Sequence, residues 1–532
     1  MGDWKVDGPD GEKIESVPQM FGRFSGQVLA RTSDWQKRLH EHPKELEAIE
    51  REVRHEFTRG ADLMVAALVA VVMASPELEA ESEQTRTHYG QPLAKGRRRS
   101  IRIQLLGGLI FWVTSLYCEP RKGVFRKKKD GARGVYIELE QFGFGKAISP
   151  GLESRVSRQA ALCPSFELAQ SELGRDGLNL DVKAVRRIAQ QCGENLLRLR
   201  TFQLQQWRNG KLPATDELAG KQVTVQIDGG RTKLRSELRE RRPVAKEIDN
   251  DGLATGDAPG RSKKKAKRTF DGQWREPKLM TIFVHDDEGR MEKTSKATID
   301  GTFTGPDAMA ELVAMHLHRL GASKAASLTF VSDGAVWIWD RVDAIVTQAG
   351  IPDSVKIHQV LDNCHAAHHV SKALAALGLD QKERMPRYRE LRTRLRNGRW
   401  QSVVEDLEEL AKDDPKNDEL QTEINYLRKH GKAGRLSYPT FRGQGLPLGS
   451  GAIESSIRRV INLRLKSNAT FWLAENAEST LQLRALVISG RWDSRMRSMR
   501  AFKRHTHLPD WHWQPKPMNS KVEREPNLAI SP

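Results

Sequence analysis

Between residues 221 and 362 the chain reads as strands and helices in alternation, and no other feature limits its fold as much. "KQVTVQIDGG" (221–230), "KLMTIFVHDDEGR" (278–290) and "KATIDGTF" (296–303) have the β-branched content of strands, with a turn expected from Asp287 to Gly289. "GPDAMAELVAMHLHRLG" (305–321) then reads as a helix, "SLTFVSD" (327–333) as a strand, "VWIWDRVDAIVTQAG" (336–350) as a helix and "VKIHQVLD" (355–362) as a strand. The order β-β-β-α-β-α-β defines an α/β unit. Two of its strands end on an acid followed by glycine, at Asp228 and Asp333. The carboxyl end of a strand is where α/β proteins present groups to a ligand, although Asp-Gly is also an ordinary turn.

The same order of elements is that of a ribonuclease-H-like fold. First and fourth strands are neighbours in such a sheet, so Asp228 and Asp333 are expected side by side. A third acid, Glu454, lies in "GLPLGSGAIESSIRRVINLRLKS" (445–467), where Ser450 is expected to cap a helix buried along Ile453, Ile457 and Val460. Glu475 and Glu478 in "FWLAENAEST" compete with it for the third position. Carboxylates held together repel one another unless protons or cations relieve them. Hard divalent cations with oxygen ligands, Mg²⁺ or Mn²⁺, do so, and a pair of such ions suits phosphodiester displacement.

Around this unit, residues 1–96 are expected to be α-rich and 97–150 to form a β-hairpin module turning at Gly107-Gly108. In 151–210 a helix, a glycine-containing turn and a second helix capped by Asp181 have the layout of a DNA-binding helix-turn-helix, or of a plain helical hairpin. Residues 250–272 read as a Gly- and Lys-rich loop whose KKKAKR either tracks a phosphate backbone or is simply solvated. The α/β core thus covers 221–363, is interrupted by a helical insertion over 364–444, and resumes over 445–493 before a basic tail, 494–532. Within "RWDSRMRSMRAFKRH" (491–505), a DNA grip and a solvated end are both open readings.

Lys and Arg number 87 against 69 Asp and Glu, a net charge of +18 that suits a polyanion, nucleic acid before membrane. The four cysteines include no C-x-x-C, so neither a disulfide framework nor a zinc ribbon is signalled. The apolar run "LMVAALVAVVMA" (63–74) is shorter than the roughly 20 residues of a membrane span and reads as a buried helix. No membrane partner is expected, and the opening residues carry no signal-peptide core, so a cytoplasmic location is expected.

"IDGGR" (227–231), "SDGAVWIW" (332–339), "LDNCHAAHH" (361–369) and "LPLGSGAIESSIRRVINLRLKS" (446–467) together resemble the blocks of DDE-type transposases of bacterial insertion sequences, in particular the ISKra-like group related to Mutator-like enzymes. The resemblance spans residues 221–493. It implies a ribonuclease-H-like catalytic core with an all-helical insertion, preceded by α-rich and helix-turn-helix DNA-binding modules. It also implies a transposase that binds terminal inverted repeats and cleaves and transfers DNA strands with two Mg²⁺ (or Mn²⁺) ions, as a homodimer or higher oligomer on terminal-repeat and target DNA. Asp228, Asp333 and Glu454 match the catalytic, metal-holding acids. Asp362 and His365 match an Asp-x2-His signature, with His365 catalytic and Asp362 in support; Arg464 and Lys466 match a basic pair expected at DNA phosphates. His368 and His369 are expected on a helix surface, although with Cys364 and His365 they also have the composition of a zinc site. Relatives often pair cysteines near the position of Cys118; here it stands alone, and no zinc is expected there. The alternatives are a transposase-derived DNA-binding protein that no longer cuts and a metal-dependent DNA nuclease.

Overall fold

The structure is a computed structural model that describes residues 17–73, 75–88, 93–94, 96–119, 134–145, 147–237, 270–412, 416–466 and 471–505. The lysine run at 263–268 and everything after 505 lie outside the described residues.

At the N-terminal end α1 (Val17–Glu41) packs on α2 (Leu46–Met73), followed by α3 (Pro76–His88). The apolar run within α2 is not buried all round, as expected from its composition. Leu63, Ala66, Val69, Ala70 and Met73 face inward, while Met64, Val65, Leu68, Val71 and Val72 are exposed. Among the described residues no single helix is long and apolar enough to cross a membrane. The buried Asp62 of α2 accepts from Gly107 N and Leu109 N, each at 3.0 Å, and so fastens the turn between β1 (Arg97–Gln104) and β2 (Ile110–Cys118). The turn falls where Gly107-Gly108 predicts it, with Gly108 at φ 94°. A short β3 (Val135–Tyr136) joins β2, and α4 (Ile137–Gln141) follows.

Three helices come next: α5 (Pro150–Leu162), α6 (Phe166–Arg175) and α7 (Val182–Arg208). Asp181 caps α7, accepting from Ala184 N at 2.6 Å, as its position predicts. These helices are not a separate body. Their apolar faces share one cluster with Leu483 and Leu486 of α17 (Ala474–Ile488) and with Trp492, Met496 and Met499 of α18 (Trp492–His505). The boundary expected at 493/494 therefore cuts through a packed helix.

The central sheet contains β4 (Gln222–Gly229), β7 (Lys278–Val284), β8 (Thr298–Thr302), β9 (Ser327–Ser332) and β10 (Lys356–Leu361) in the order β10-β9-β4-β7-β8. β4–β7 and β7–β8 are antiparallel; β4–β9 and β9–β10 are parallel. Every residue of β7 and β9 is buried, because both faces are covered. Val223, Val225 and Ile227 of β4 face a cluster that includes Met309, Val313 and Leu317 of α8 (Pro306–Leu320). By the period of two, Thr224, Gln226 and Asp228 face the other side. That side is covered by α16 (Gly451–Ile457), the helical turn Arg458–Asn462 that continues it, and α17, through Ile453, Ile457, Val460 and Leu481.

Two expectations need correction here. Of the loop expected over 250–272 only residues 270–272 are described, and they are strand: β6 (Phe270–Arg275) pairs antiparallel with β5 (Thr232–Glu237). The single helix expected over 336–350 is broken into α9 (Val336–Trp339) and α10 (Val342–Gln348). The insertion is helical as expected, with α11 (Asn363–Ala376), α12 (Gln381–Arg396), α13 (Trp400–Ala411), α14 (Asp418–Lys432) and α15 (Tyr438–Gly443). It shares the core of the sheet, since Leu395, Leu407, Leu420, Ile424 and Leu427 belong to one cluster with Ile338, Val360 and Leu361.

Candidate functional site

β4 pairs with β9 from Gln222↔Ser327 to Val225↔Phe330, and β10 pairs with β9 from Lys356↔Ser327 to Leu361↔Ser332. Carrying both registers to the strand ends sets Asp228, Asp333 and Asp362 at one level on three neighbouring parallel strands. Ser332 ties the three ends together: its Oγ accepts from Ile227 N at 3.3 Å and its carbonyl accepts from Asp362 N at 3.0 Å.

The three carboxyls are treated differently by their surroundings. Burial, reinforced by the charge of Asp333, pushes Asp228 up to about 7, against the pull of the Gly229 N–H and of His365. Burial also raises Asp333, whose Oδ1 accepts from Ala335 N at 3.1 Å. Asp362 is 2% exposed, and burial alone would raise it too. Hydrogen bonds from His365 and Ser450 outweigh that and hold it down at about 2.

His365 and Glu454 complete the cluster. His365 N donates to Asp362 Oδ1 at 2.7 Å, and His365 Nδ1 lies 3.2 Å from the same oxygen. That bond raises the imidazole, with help from the charges of Asp362, Asp333 and Glu454. Ser450 stands at the N-cap of α16 but caps nothing with its side chain, contrary to expectation. Its Oγ lies instead 2.9 Å from Asp362 Oδ2 and 2.9 Å from Glu454 Oε1, so one hydroxyl proton serves two carboxylates. Asp362, His365 and Glu454 each offer a ligand atom within 4.8 Å of the others.

Four further residues build the site without having been visible in the sequence. Gln226 Nε2 donates to Gly449 O and its Oε1 accepts from Ile453 N, both at 2.9 Å, so β4 fixes the start of α16 and thereby Glu454. Glu276 adds to the charge acting on Asp228 and Asp333, and is balanced by Lys278 Nζ at 2.6 Å. Lys278 in turn lies 4.2 Å from the Trp337 ring centroid. Tyr426 of α14 comes so close to Gly334 that a Cβ there would sit 2.1 Å from its ring. Glycine is needed after Asp333 for that approach. The acid-glycine turn is the one local signal among these features, and it does not identify the partner.

The competing acids separate cleanly. Glu478 is 1% exposed, lies 2.6 Å from Arg200 Nη2 and accepts from Phe303 N at 2.8 Å, so it belongs to a buried ion-pair network with Asp300 and not to the strand ends. Glu475 is exposed at the start of α17. The expected phosphate contact at Arg464 does not fit the structure. Arg464 is 6% exposed, donates to Pro164 O at 2.9 Å, and is stacked between Phe166 and Trp472 at 4.7 and 5.0 Å. Lys466 is exposed. His369 is half-buried, not fully on the surface: it stacks on Tyr426 at 3.5 Å and pairs with Glu423. His368 is exposed as expected, and Cys364 is exposed as well.

The donor set is oxygen-rich, with one histidine. Two acids are destabilised as anions, and an added cation of charge +2 would relieve both. This fits a divalent metal better than it fits an empty polar pocket. Comparison with family models, with curated proteins and with solved structures finds no match to this chain.

Proposed function

We propose that this chain is a metal-dependent DNA transposase of the DDE type on a ribonuclease-H-like core. The observation that carries the reading is that the β4–β9 register, continued past Val225↔Phe330, brings Asp228 level with Asp333, with His365 close enough for its charge to act on both; Glu454 groups with His365 and Asp362. The strand order, antiparallel through β8-β7-β4 and parallel through β4-β9-β10, supports the same reading.

Asp228, Asp333 and Glu454 are the residues that would hold two Mg²⁺ or Mn²⁺ ions. When bound, such ions supply Lewis acidity toward a phosphodiester and charge stabilisation of the departing oxygen. Asp362 acts as a positioning residue, since His365 and Ser450 already engage both of its oxygens. It holds the His365 ring and, through Ser450, the Glu454 carboxylate. His365, whose affinity for a proton is raised chiefly by Asp362, stands where a positive charge would face an anionic strand. Asp362 and Ser450 together limit the rotamers open to the acids around them.

For DNA recognition, Lys183, Arg186 and Arg187 are exposed in the first turns of α7, which suits a recognition helix at terminal inverted repeats. Lys466 remains available for phosphate. Assembly as a homodimer or higher oligomer follows from joining two element ends, and action on DNA places the protein at the bacterial nucleoid.

The test is cleavage and joining by purified protein with its own element ends and Mg²⁺. Wild type should nick the ends and join a pre-cleaved 3′ end to plasmid, while Asp228→Asn and Asp333→Asn bind the ends but do neither. Undiminished cutting by either variant, or cutting in EDTA, would refute the assignment. Cutting without joining would reduce the protein to a nuclease.

A further inference from the structure

We propose that the β5–β6 hairpin carries a stacking site for an unpaired nucleobase of the DNA strand that enters the carboxylate site; this rests on the reading of the chain as a DNA-processing enzyme. The hairpin grows directly out of the site. β5 begins four residues after Asp228, and β6 ends at Arg275, next to Glu276. Leu279 is the cross-strand partner of Asp228, and Trp274 lies five residues before it. At about 3.4 Å per extended residue, Trp274 is at most about 17 Å along the chain from the level of the acids. That is the span of a few nucleotides.

One face of the hairpin is anchored and the other is not. Thr232 Oγ1 donates to Leu465 O at 2.6 Å, Arg235 N donates to Trp472 O at 2.9 Å, and Leu234 is buried in the cluster with Leu465 and Trp472. The opposite face carries Trp274 and, paired directly with it, Lys233. Phe471 lies against Gly272 on the hairpin, where a Cβ would come within 2.8 Å of its ring. Trp274 is 53% exposed and Phe471 44% exposed. Lys233 Nζ sits between the rings, 5.0 Å from the Trp274 centroid and 5.7 Å from that of Phe471.

A large aromatic side chain left half in water does little for the fold, because its value there lies in burial. Two of them around an ammonium, with Arg231 exposed just before β5 and Lys466 exposed near the hairpin's anchor, form a surface of π faces and positive charge. That composition matches single-stranded nucleic acid, which offers flat bases and phosphates at a short repeat. A purely apolar partner would not favour Lys233 between the rings and two further exposed cations, Arg231 and Lys466, close by. Bases inside an intact duplex have no free face, so the site would take a base only where the strand is unpaired near the point of cleavage.

The probe is a fluorescent oligothymidylate of about a dozen nucleotides, titrated into the full chain, with cutting of duplex element ends measured in parallel. Trp274→Ala should weaken binding about tenfold, within the 5- to 150-fold expected for one stacked base. Trp274→Phe should keep most of the affinity and Trp274→Leu should lose it, since leucine preserves apolar bulk without a π face. If Trp274→Leu and Trp274→Ala bind as wild type does, the stacking site is overturned; should wild type still cut the ends, the catalytic reading survives. Trp274-dependent binding in a protein that cuts nothing would uphold the site and remove the catalytic reading.

Discussion

Replacing Asp228 with asparagine is expected to make the cation-free protein more stable at pH 8 while abolishing its activity. The Asp228 carboxyl moves from an ordinary value of 3.8 to about 7 in the folded chain. Its folded value is above its unfolded value, so below about pH 4 both states hold the proton and there is no penalty. As pH rises from 4 to 7 the unfolded chain releases a proton that the folded chain keeps, and stability falls; above 7 the whole loss is in place. A shift of about 3 units at about 1.4 kcal/mol each sets an upper limit near 4 kcal/mol. Because Asp333 shares the repulsion, about 2–4 kcal/mol is the expected gain for the variant. Asparagine keeps the oxygen that accepts from Gly229 N at 2.6 Å, so the turn is preserved. Thermal melts followed by tryptophan fluorescence in EDTA, from pH 4 to 8, should show the variant melting higher at pH 8 and the gap closing toward pH 4. Mg²⁺ should raise the melting temperature of wild type and not of the variant. A variant that melts lower at pH 8, or a gap independent of pH, would refute the electrostatic account.

Two other outcomes follow from buried groups. His285, His316 and His430 are each pushed down to about 4, chiefly by burial, so each is neutral in the folded protein where the unfolded chain would be protonated. Stability should be fully present above about pH 6.5 and be lost as pH falls toward 4, by on the order of 3 kcal/mol per histidine; urea denaturation at pH 7 and pH 5 checks it, and equal midpoints would contradict it. Arg464→Met should change stability by less than about 1 kcal/mol or raise it, since a buried guanidinium with unpartnered N–H groups gives way to apolar volume. It should leave the salt dependence of DNA binding unchanged, whereas Lys466→Met should lower the salt slope by about one; filter binding across a salt series measures both, and a reduced slope for Arg464→Met would return that residue to the DNA.

What the sequence made legible was local. Asp228 and Asp333 can be found because each follows a β-branched run and precedes glycine, and Asp181 because it opens a helix. The strand pair β5–β6 was hidden: "TKLRSE" and "FDGQWR" are short, charged and separated by residues 238–269, so neither has the alternation that marks a strand. The apolar run in α2 was misread because composition cannot tell a helix buried on all sides from one buried on a single face. Arg464 was misread because the rings that enclose it come from residues 166 and 472, and Phe166 is 298 positions away in the chain. Arg200 and Glu478, 278 positions apart, are invisible as a pair for the same reason.

The distribution of hydrogen bonds at the strand ends differs sharply among acids that look alike in sequence. Asp362 receives the His365 N–H and the Ser450 hydroxyl and backbone N–H, and lies beside the His365 ring; its lone pairs are taken and its charge is stabilised. Asp228 and Asp333 each accept one nearby backbone N–H, from Gly229 and Ala335, and are otherwise left with free lone pairs and a raised affinity for protons. A carboxylate that is buried, under-bonded and next to another is a poor structural element, because protonation or a cation must complete it. That the fold engages Asp362 so fully and leaves the neighbouring pair open is why the proposed metal is set against Asp228 and Asp333, while Asp362, within ligand distance of His365 and Glu454, is proposed to orient them.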